Sequence, residues 1–210
     1  LWGKHTNFEL ATRVPLLVRA PWLPPTYAGQ RAAALVELVD LYPTVASLAL
    51  ATGPALEDGV DGIDLSPLLA DPTLPALPGR VAAASQYARC PPAGAAAWHH
   101  NNCEQVAADQ IAVMGYSVRT SAWRFTEWYN WTGARTNGSL CAPAWDEVVG
   151  AELYDHADDR GEDFDCCENT NLAADPDFAE TVVELRAILR GLFNQTAFGP
   201  CPDDPATIVA

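Results

Sequence analysis

Between positions 111 and 131 the side chains alternate in kind on either side of a short break at Thr120, Ser121, Ala122 and Trp123. Val113, Gly115 and Ser117 interleave with Met114, Tyr116 and Val118, and Arg124, Thr126 and Trp128 interleave with Phe125, Glu127 and Tyr129. A period of two is the signature of extended backbone, and two such runs joined by a tight turn predict a β-hairpin. A hairpin alone is marginal in water, so further strands and an apolar cover are required. Residues 81–87 and 151–154 have strand composition. Residues 177–193 carry Phe178, Val182, Leu185, Leu189 and Leu192 at spacings of three and four, an amphipathic helix with Asp175 or Pro176 at its start. The expectation is a small α+β unit, a four-stranded antiparallel sheet packed by a C-terminal helix.

The first part of the chain reads differently. The run VPLLVRA at 14–20 is almost wholly apolar and bounded by prolines, which predicts a buried strand of a parallel sheet. Residues 35–39 are compatible with extended backbone. Pro43 is tolerated only in a first helical turn, which makes Asp40 the expected N-cap of a helix running toward Gly53. Residues 62–69 predict a turn and a short helix. Pro72, Pro75, Pro78 and Gly79 then mark a connector, so the expected division is 1–79, a portion of an α/β domain, and 80–210, the α+β subdomain.

Charge and hydropathy exclude several function classes. The chain has 12 Lys plus Arg against 27 Asp plus Glu, a net −15. Residues 136–210 hold 3 basic and 16 acidic side chains, a net −13, which repels phosphate backbones and argues against a nucleic-acid partner. No apolar stretch reaches the roughly 20 residues of a spanning helix; the best, 32–51, is broken by Glu37, Asp40 and Pro43. The sequence starts at Leu1 without Met or a leader-like segment, so a processed chain or a piece of a longer one is expected. Oligomeric state is not legible in it.

Six cysteines, Cys90, Cys103, Cys141, Cys166, Cys167 and Cys201, all follow residue 89. Three glycosylation sequons, at Asn130, Asn137 and Asn194, accompany them, and no Cys-x-x-Cys metal spacing occurs. The combination points to the secretory pathway, lysosomal or extracellular, with disulfides stapling the second half. Adjacent cysteines rarely meet disulfide geometry with each other, so Cys166 and Cys167 are expected to pair with different partners.

Several stretches now resemble, in order, the C-terminal part of the type I sulfatases of the alkaline-phosphatase-like superfamily, with most likeness to the iduronate-2-sulfatase branch. They are GKHTNFE at 3–9 with ATRVPL at 11–16, LVDLYPT at 38–44, GIDLSPLL at 62–69, SQYAR at 85–89 with MGYSVRT at 114–120, and ELYD at 152–155 with NLA at 171–173. The resemblance implies the α/β fold of that family, here its C-terminal part ending in the α+β subdomain. It further implies hydrolysis of sulfate esters, with sulfated saccharides as substrates. In the family a formylglycine, made from a Cys-x-Pro-x-Arg motif, attacks sulfur, and a bound calcium neutralises the sulfate oxygens. This chain has no such motif, Cys90-Pro-Pro being the nearest, so the nucleophile and metal ligands are expected upstream and residues 1–210 alone are expected to be inactive.

By the same resemblance Lys4, the only lysine, is the sulfate-contacting lysine, a point donor able to follow developing negative charge. His5 falls at a substrate-facing position where the iduronate-2-sulfatase branch carries an aromatic residue. Other features read more blandly. His99 and His100 lack ligands at metal spacing and read as loop; the six carboxylates of 155–165 do not fit a calcium-loop register and read as solvated. Trp123, Trp128 and Trp131 suit a hairpin core better than sugar stacking. Two alternatives stay open: a phosphodiesterase or phosphonate hydrolase of the same superfamily, and a non-catalytic, disulfide-stapled secreted binding module.

Overall fold

A computed structural model of the chain describes residues 5–20, 23, 25–49, 60–90, 103, 111–131, 145–163 and 166–193. They form two units, one of residues 15–83 and one combining 1–14 with 84–210. In the second unit four strands, β1 (Ala83–Arg89), β2 (Val113–Arg119), β3 (Trp123–Asn130) and β4 (Val148–Asp155), make one sheet in the order β1-β2-β3-β4. The predicted hairpin is present: β2 and β3 pair antiparallel with Ser117 opposite Thr126, and the turn closes where the Thr120 amide donates to the Trp123 carbonyl at 2.8 Å. β4 continues the antiparallel ladder with Phe125 opposite Leu153.

The period of two sorts these strands into faces. One carries Tyr116, Val118, Phe125, Tyr129 and Leu153, and against it packs α4 (Ala179–Phe193), contributing Val182, Leu185 and Leu189. A 3-10 turn, Pro176–Phe178, leads into the helix, and the Asp175 carboxylate accepts the Asp177 amide at 3.0 Å, as the capping residues predict. Aromatic edges fill the gaps: Phe193 meets Tyr116 with centroids 4.8 Å apart, and Trp123 meets Phe178 at 5.6 Å. Glu127 is buried on this face; the Arg186 guanidinium donates to it at 2.6 and 2.8 Å, and the Tyr129 hydroxyl donates to it as well. That pairing keeps its charge from being stranded in a core.

The opposite face is also covered. Ser117, Arg119, Arg124 and Thr126 point there and are all buried, although a sheet with one packed face usually shows its polar side to water. The cover is the segment 5–13, which contains the short α1 (Glu9–Thr12).

The first unit is built around Asp40. Its carboxylate accepts the amides of Glu37 at 2.7 Å and Ile63 at 2.8 Å and pairs with Arg80. Leu38–Asp40 is a 3-10 turn capped by Glu37, so α2 (Leu41–Ala49) starts just after Asp40, with Pro43 in its first turn. Helix α3 (Ser66–Ala70) follows the predicted turn, and Leu65, Leu68 and Leu77 form a small core. Residues 14–20 depart from expectation. They form no strand, and Leu17 is 89% exposed with Val14, Leu16 and Val18 also exposed. An apolar run has the content of a buried strand but needs partners on both edges, and the described residues supply none. No helix among the described residues is long and apolar enough to cross a membrane.

Candidate functional site

Segment 5–13 is held by bonds that the residues of GKHTNFE are suited to make. The Asn7 side-chain amide donates to the Gly115 carbonyl at 3.1 Å and accepts from Ser85 Oγ at 3.3 Å, so its two ends read two strands. Phe8 meets Tyr154 edge to face at 5.7 Å. The imidazole Nδ1 of His5 shares a hydrogen bond of 2.7 Å with the Tyr87 hydroxyl, and the Arg89 guanidinium donates to the His5 carbonyl at 2.7 Å.

Beneath α1 lies a buried ionic network. Arg124 donates to Glu9 at 2.5 Å and to Thr12 Oγ1 at 3.0 Å, and its Nε bonds Glu168. Arg119 reaches Glu9 at 3.4 Å and Asp159 at 3.1 Å. Arg13 approaches both of those carboxylates, at 3.2 and 3.5 Å. His156 bridges Asp159 on Nδ1 at 3.1 Å and Glu168 on Nε2 at 3.2 Å, while Glu168 accepts the Glu9 amide at 2.6 Å. Arg13, Arg119 and Arg124 thus face Glu9, Asp159 and Glu168, so charge balances and few lone pairs are left over. Gly161, at φ 73°, lies against the Arg13 side chain, where a Cβ would collide with the guanidinium.

The network sets its own protonation. Burial pushes the Glu168 carboxyl up, but His156, Arg124 and the Glu9 amide outweigh it and hold Glu168 below its ordinary value. Asp159 is likewise lowered: burial opposes, and the Gly161 amide, His156, Arg13 and Arg119 prevail.

Of the residues singled out by sequence, His5 is on this face, within the segment docked on the sheet. Lys4 precedes it and lies outside the described residues, as do His99, His100, Cys141, Cys201, Asn137 and Asn194. Asn130 is exposed at the end of β3, its side-chain amide 3.0 Å from Glu147. The tryptophans do not form one stripe: Trp123 and Trp128 are an odd number apart and lie on opposite faces, Trp123 against Phe178. The acidic loop is not simply solvated, since Arg13 and Arg119 cover the Asp159 carboxylate and His156 is buried between Asp159 and Glu168. Glu9, Arg119, Arg124, His156 and Glu168 had no role assigned from sequence. The one available signal was that Glu9 and Arg119 fall inside GKHTNFE and MGYSVRT.

The cysteines correct another expectation. Cys90 bonds Cys103, but Cys166 bonds its neighbour Cys167 instead of a distant partner. The rule against adjacent pairs is statistical, and a turn of irregular backbone at 166–170 permits the small ring that a helix or strand would forbid. Peptide mapping without reduction is expected to recover both bridges; separate partners for Cys166 and Cys167 would contradict this connectivity.

Among the described residues two clusters have donor atoms within 4.8 Å of one another, Glu9 with His156 and Glu168, and His156 with Asp159 and Cys167. Neither fits calcium, which takes six to eight oxygen ligands. Each includes an imidazole, the carboxylates already face arginines, and Cys167 is in a disulfide.

Sequence comparison finds relatives. The chain is 32% identical to human iduronate 2-sulfatase over 189 residues, covering 73% of this chain and 32% of that protein. It is 32% identical to the mouse iduronate 2-sulfatase over 166 residues, covering 60% and 29%. The chain therefore spans about a third of the length of these curated relatives. No family model matches. Among solved structures, a candidate sulfatase from Bacteroides thetaiotaomicron aligns with TM-score 0.44 and 24% identity, over 74% of this chain and 24% of that one. A protein in complex with its substrate D-glucosamine-2-N,6-O-disulfate aligns with TM-score 0.45 and 20% identity, over 75% and 24%.

Proposed function

The chain belongs to the sulfatase family and corresponds to its C-terminal region, and on that premise we propose that the protein hydrolyses sulfate esters of sulfated saccharides, uronate 2-sulfates in the first instance. The observation that carries the reading is the 32% identity to human iduronate 2-sulfatase, sustained over 189 residues. In this reading Lys4 and His5, where the docked segment begins, carry the chemistry of this chain. Lys4 donates to the sulfuryl oxygens as charge builds on them, and His5 faces the sugar ring. The sheet below holds His5 and Asn7 in place.

Calcium and a formylglycine belong to this proposal as groups held by residues outside 1–210; when bound they supply charge neutralisation and the nucleophile. The residues described here bind and orient. Passage through the secretory pathway to a lysosomal or extracellular site is part of the same reading, supported by the disulfides Cys90–Cys103 and Cys166–Cys167 among the described residues and by the exposed sequon at Asn130.

The test is sulfate release from 2-sulfated uronate disaccharides and from a chromogenic aryl sulfate. The intact protein is expected to release sulfate from both, and residues 1–210 alone from neither. Cleavage of a phosphodiester with no sulfate release would assign the protein to phosphoryl transfer. Calcium-dependent turnover by residues 1–210 would remove the division of labour proposed here.

A further inference from the structure

On the face that carries segment 5–13, Gly115, Trp128 and Gly150 stand in one row across β2, β3 and β4. The glycines explain where the indole goes. A Cβ on Gly115 would sit 2.6 Å from the Trp128 ring, and one on Gly150 would meet it at 3.7 Å, so the ring lies down over the row where no other residue at 115 leaves room.

A tryptophan laid on a sheet offers its outer face, and here a cation takes it. The Arg89 guanidinium lies 5.1 Å from the Trp128 ring centroid and 5.2 Å from that of Tyr87. Two rings hold the planar cation, and Glu152 adds attraction. Arg89 then donates to the His5 carbonyl at 2.7 Å, and the Tyr87 hydroxyl bonds the His5 ring at 2.7 Å. That carbonyl is one residue from Lys4.

We propose that Arg89, braced on Trp128, is a positioning residue that fixes the backbone of His5 and thereby the placement of Lys4. The inference rests on the sulfatase reading for the role of Lys4. A lysine has four rotatable carbons, and its ammonium stabilises a transition state only where its backbone origin is fixed. The sheet holds the His5 carbonyl through the Arg89 guanidinium. The guanidinium is engaged by two rings and a carbonyl, so its task here is support and not contact with the sugar.

The test is steady-state kinetics on the intact enzyme with an aryl sulfate and a sulfated disaccharide. Arg89→Ala is expected to lower kcat on both substrates by about ten- to a hundredfold, the scale of a misplaced catalytic group, with KM changed by less than about threefold. Trp128→Ala is expected to give a similar loss, Trp128→Phe a smaller one, and Arg89→Ala with Trp128→Ala together no more than either alone, since the two act in series. Arg89→Lys, which keeps a donor without the stack, is expected to recover only part of the rate and serves where the alanine variant does not accumulate. Thermal melting of each variant separates loss of fold from loss of position. Wild-type kcat in Arg89→Ala or Arg89→Lys, with Lys4→Ala impaired, overturns the proposal and leaves the sulfatase reading standing. A loss in KM confined to the disaccharide also overturns it, because Arg89 would then touch substrate. Wild-type turnover in Lys4→Ala as well would remove the role of Lys4 on which the inference depends.

Discussion

Arg124→Ala is expected to destabilise the sheet unit by about 3–5 kcal/mol, the range for removing one partner of a buried ionic network. The Arg124 side chain is 3% exposed and bonds Glu9, Glu168, Thr12 and Ser117, so truncation takes from buried Glu168 its guanidinium partner and leaves Glu9 only its longer contacts to Arg13 and Arg119. Arg124→Lys keeps the charge, yet one ammonium cannot span partners on α1, β2 and the 166–170 turn, and an intermediate loss is expected. Urea denaturation followed by far-ultraviolet circular dichroism measures both. A loss for Arg124→Ala below about 1 kcal/mol would place the pair with exposed surface ion pairs. The pH dependence gives a second reading. Glu168 and Asp159 titrate below their ordinary values in the folded chain, so their stabilisation is present above the ordinary carboxylate range and is lost as pH falls through the lowered values. Arg124 is one of the groups that lower Glu168, so the acid limb of the stability curve should be shallower in Arg124→Ala.

Lys4→Ala in the intact enzyme is expected to lower kcat and kcat/KM together by about a hundredfold or more, the cost of losing one preorganised donor at developing charge. Stability should be unchanged, because the anchors of the segment are Asn7, Glu9 and the His5 carbonyl. Lys4→Arg should recover little, since a planar fork does not reproduce a point donor in a tight pocket. His5→Ala should alter KM among sugars and spare a small aryl sulfate. Steady-state kinetics with both substrates decides, and near-wild-type kcat/KM for Lys4→Ala would leave Lys4 without a catalytic role.

The hairpin, the fourth strand and α4 were legible because each carries its period within a few consecutive turns or residues. The network was not, for a reason visible in Ser117, Arg119, Arg124 and Thr126. Alternation says which side chains share a face, and polar ones on a shared face look like a solvated side. What covers that face is residues 5–13, more than 100 positions away, as the 108-residue separation of Asn7 and Gly115 shows. Local pattern carries no record of such a partner. Asp159 was obscured in the same way: among five other carboxylates of 155–165 nothing marks it as the one that Arg13 and Arg119 withdraw from water. The run at 14–20 failed in the opposite direction. Its apolar content states a demand for burial, and content alone does not say whether a partner strand is at hand.

Because the Glu9 amide is satisfied by Glu168, 159 residues later, the order in which a ribosome delivers the chain matters. At ordinary elongation rates roughly 10–30 s separate the emergence of the two residues. During that interval segment 5–13 has no sheet to dock on, and Glu9 waits in water as an ordinary solvated carboxylate. The sheet and α4 draw only on residues from 83 onward, whereas docking of the segment closes a much longer loop and comes late by the cost of that closure. Segment 5–13 thus emerges well before its partner Glu168 and is secured late. A chain terminated before Glu168 would contain all four strands, yet it would lack α4 and the carboxylate that ties down the Glu9 amide.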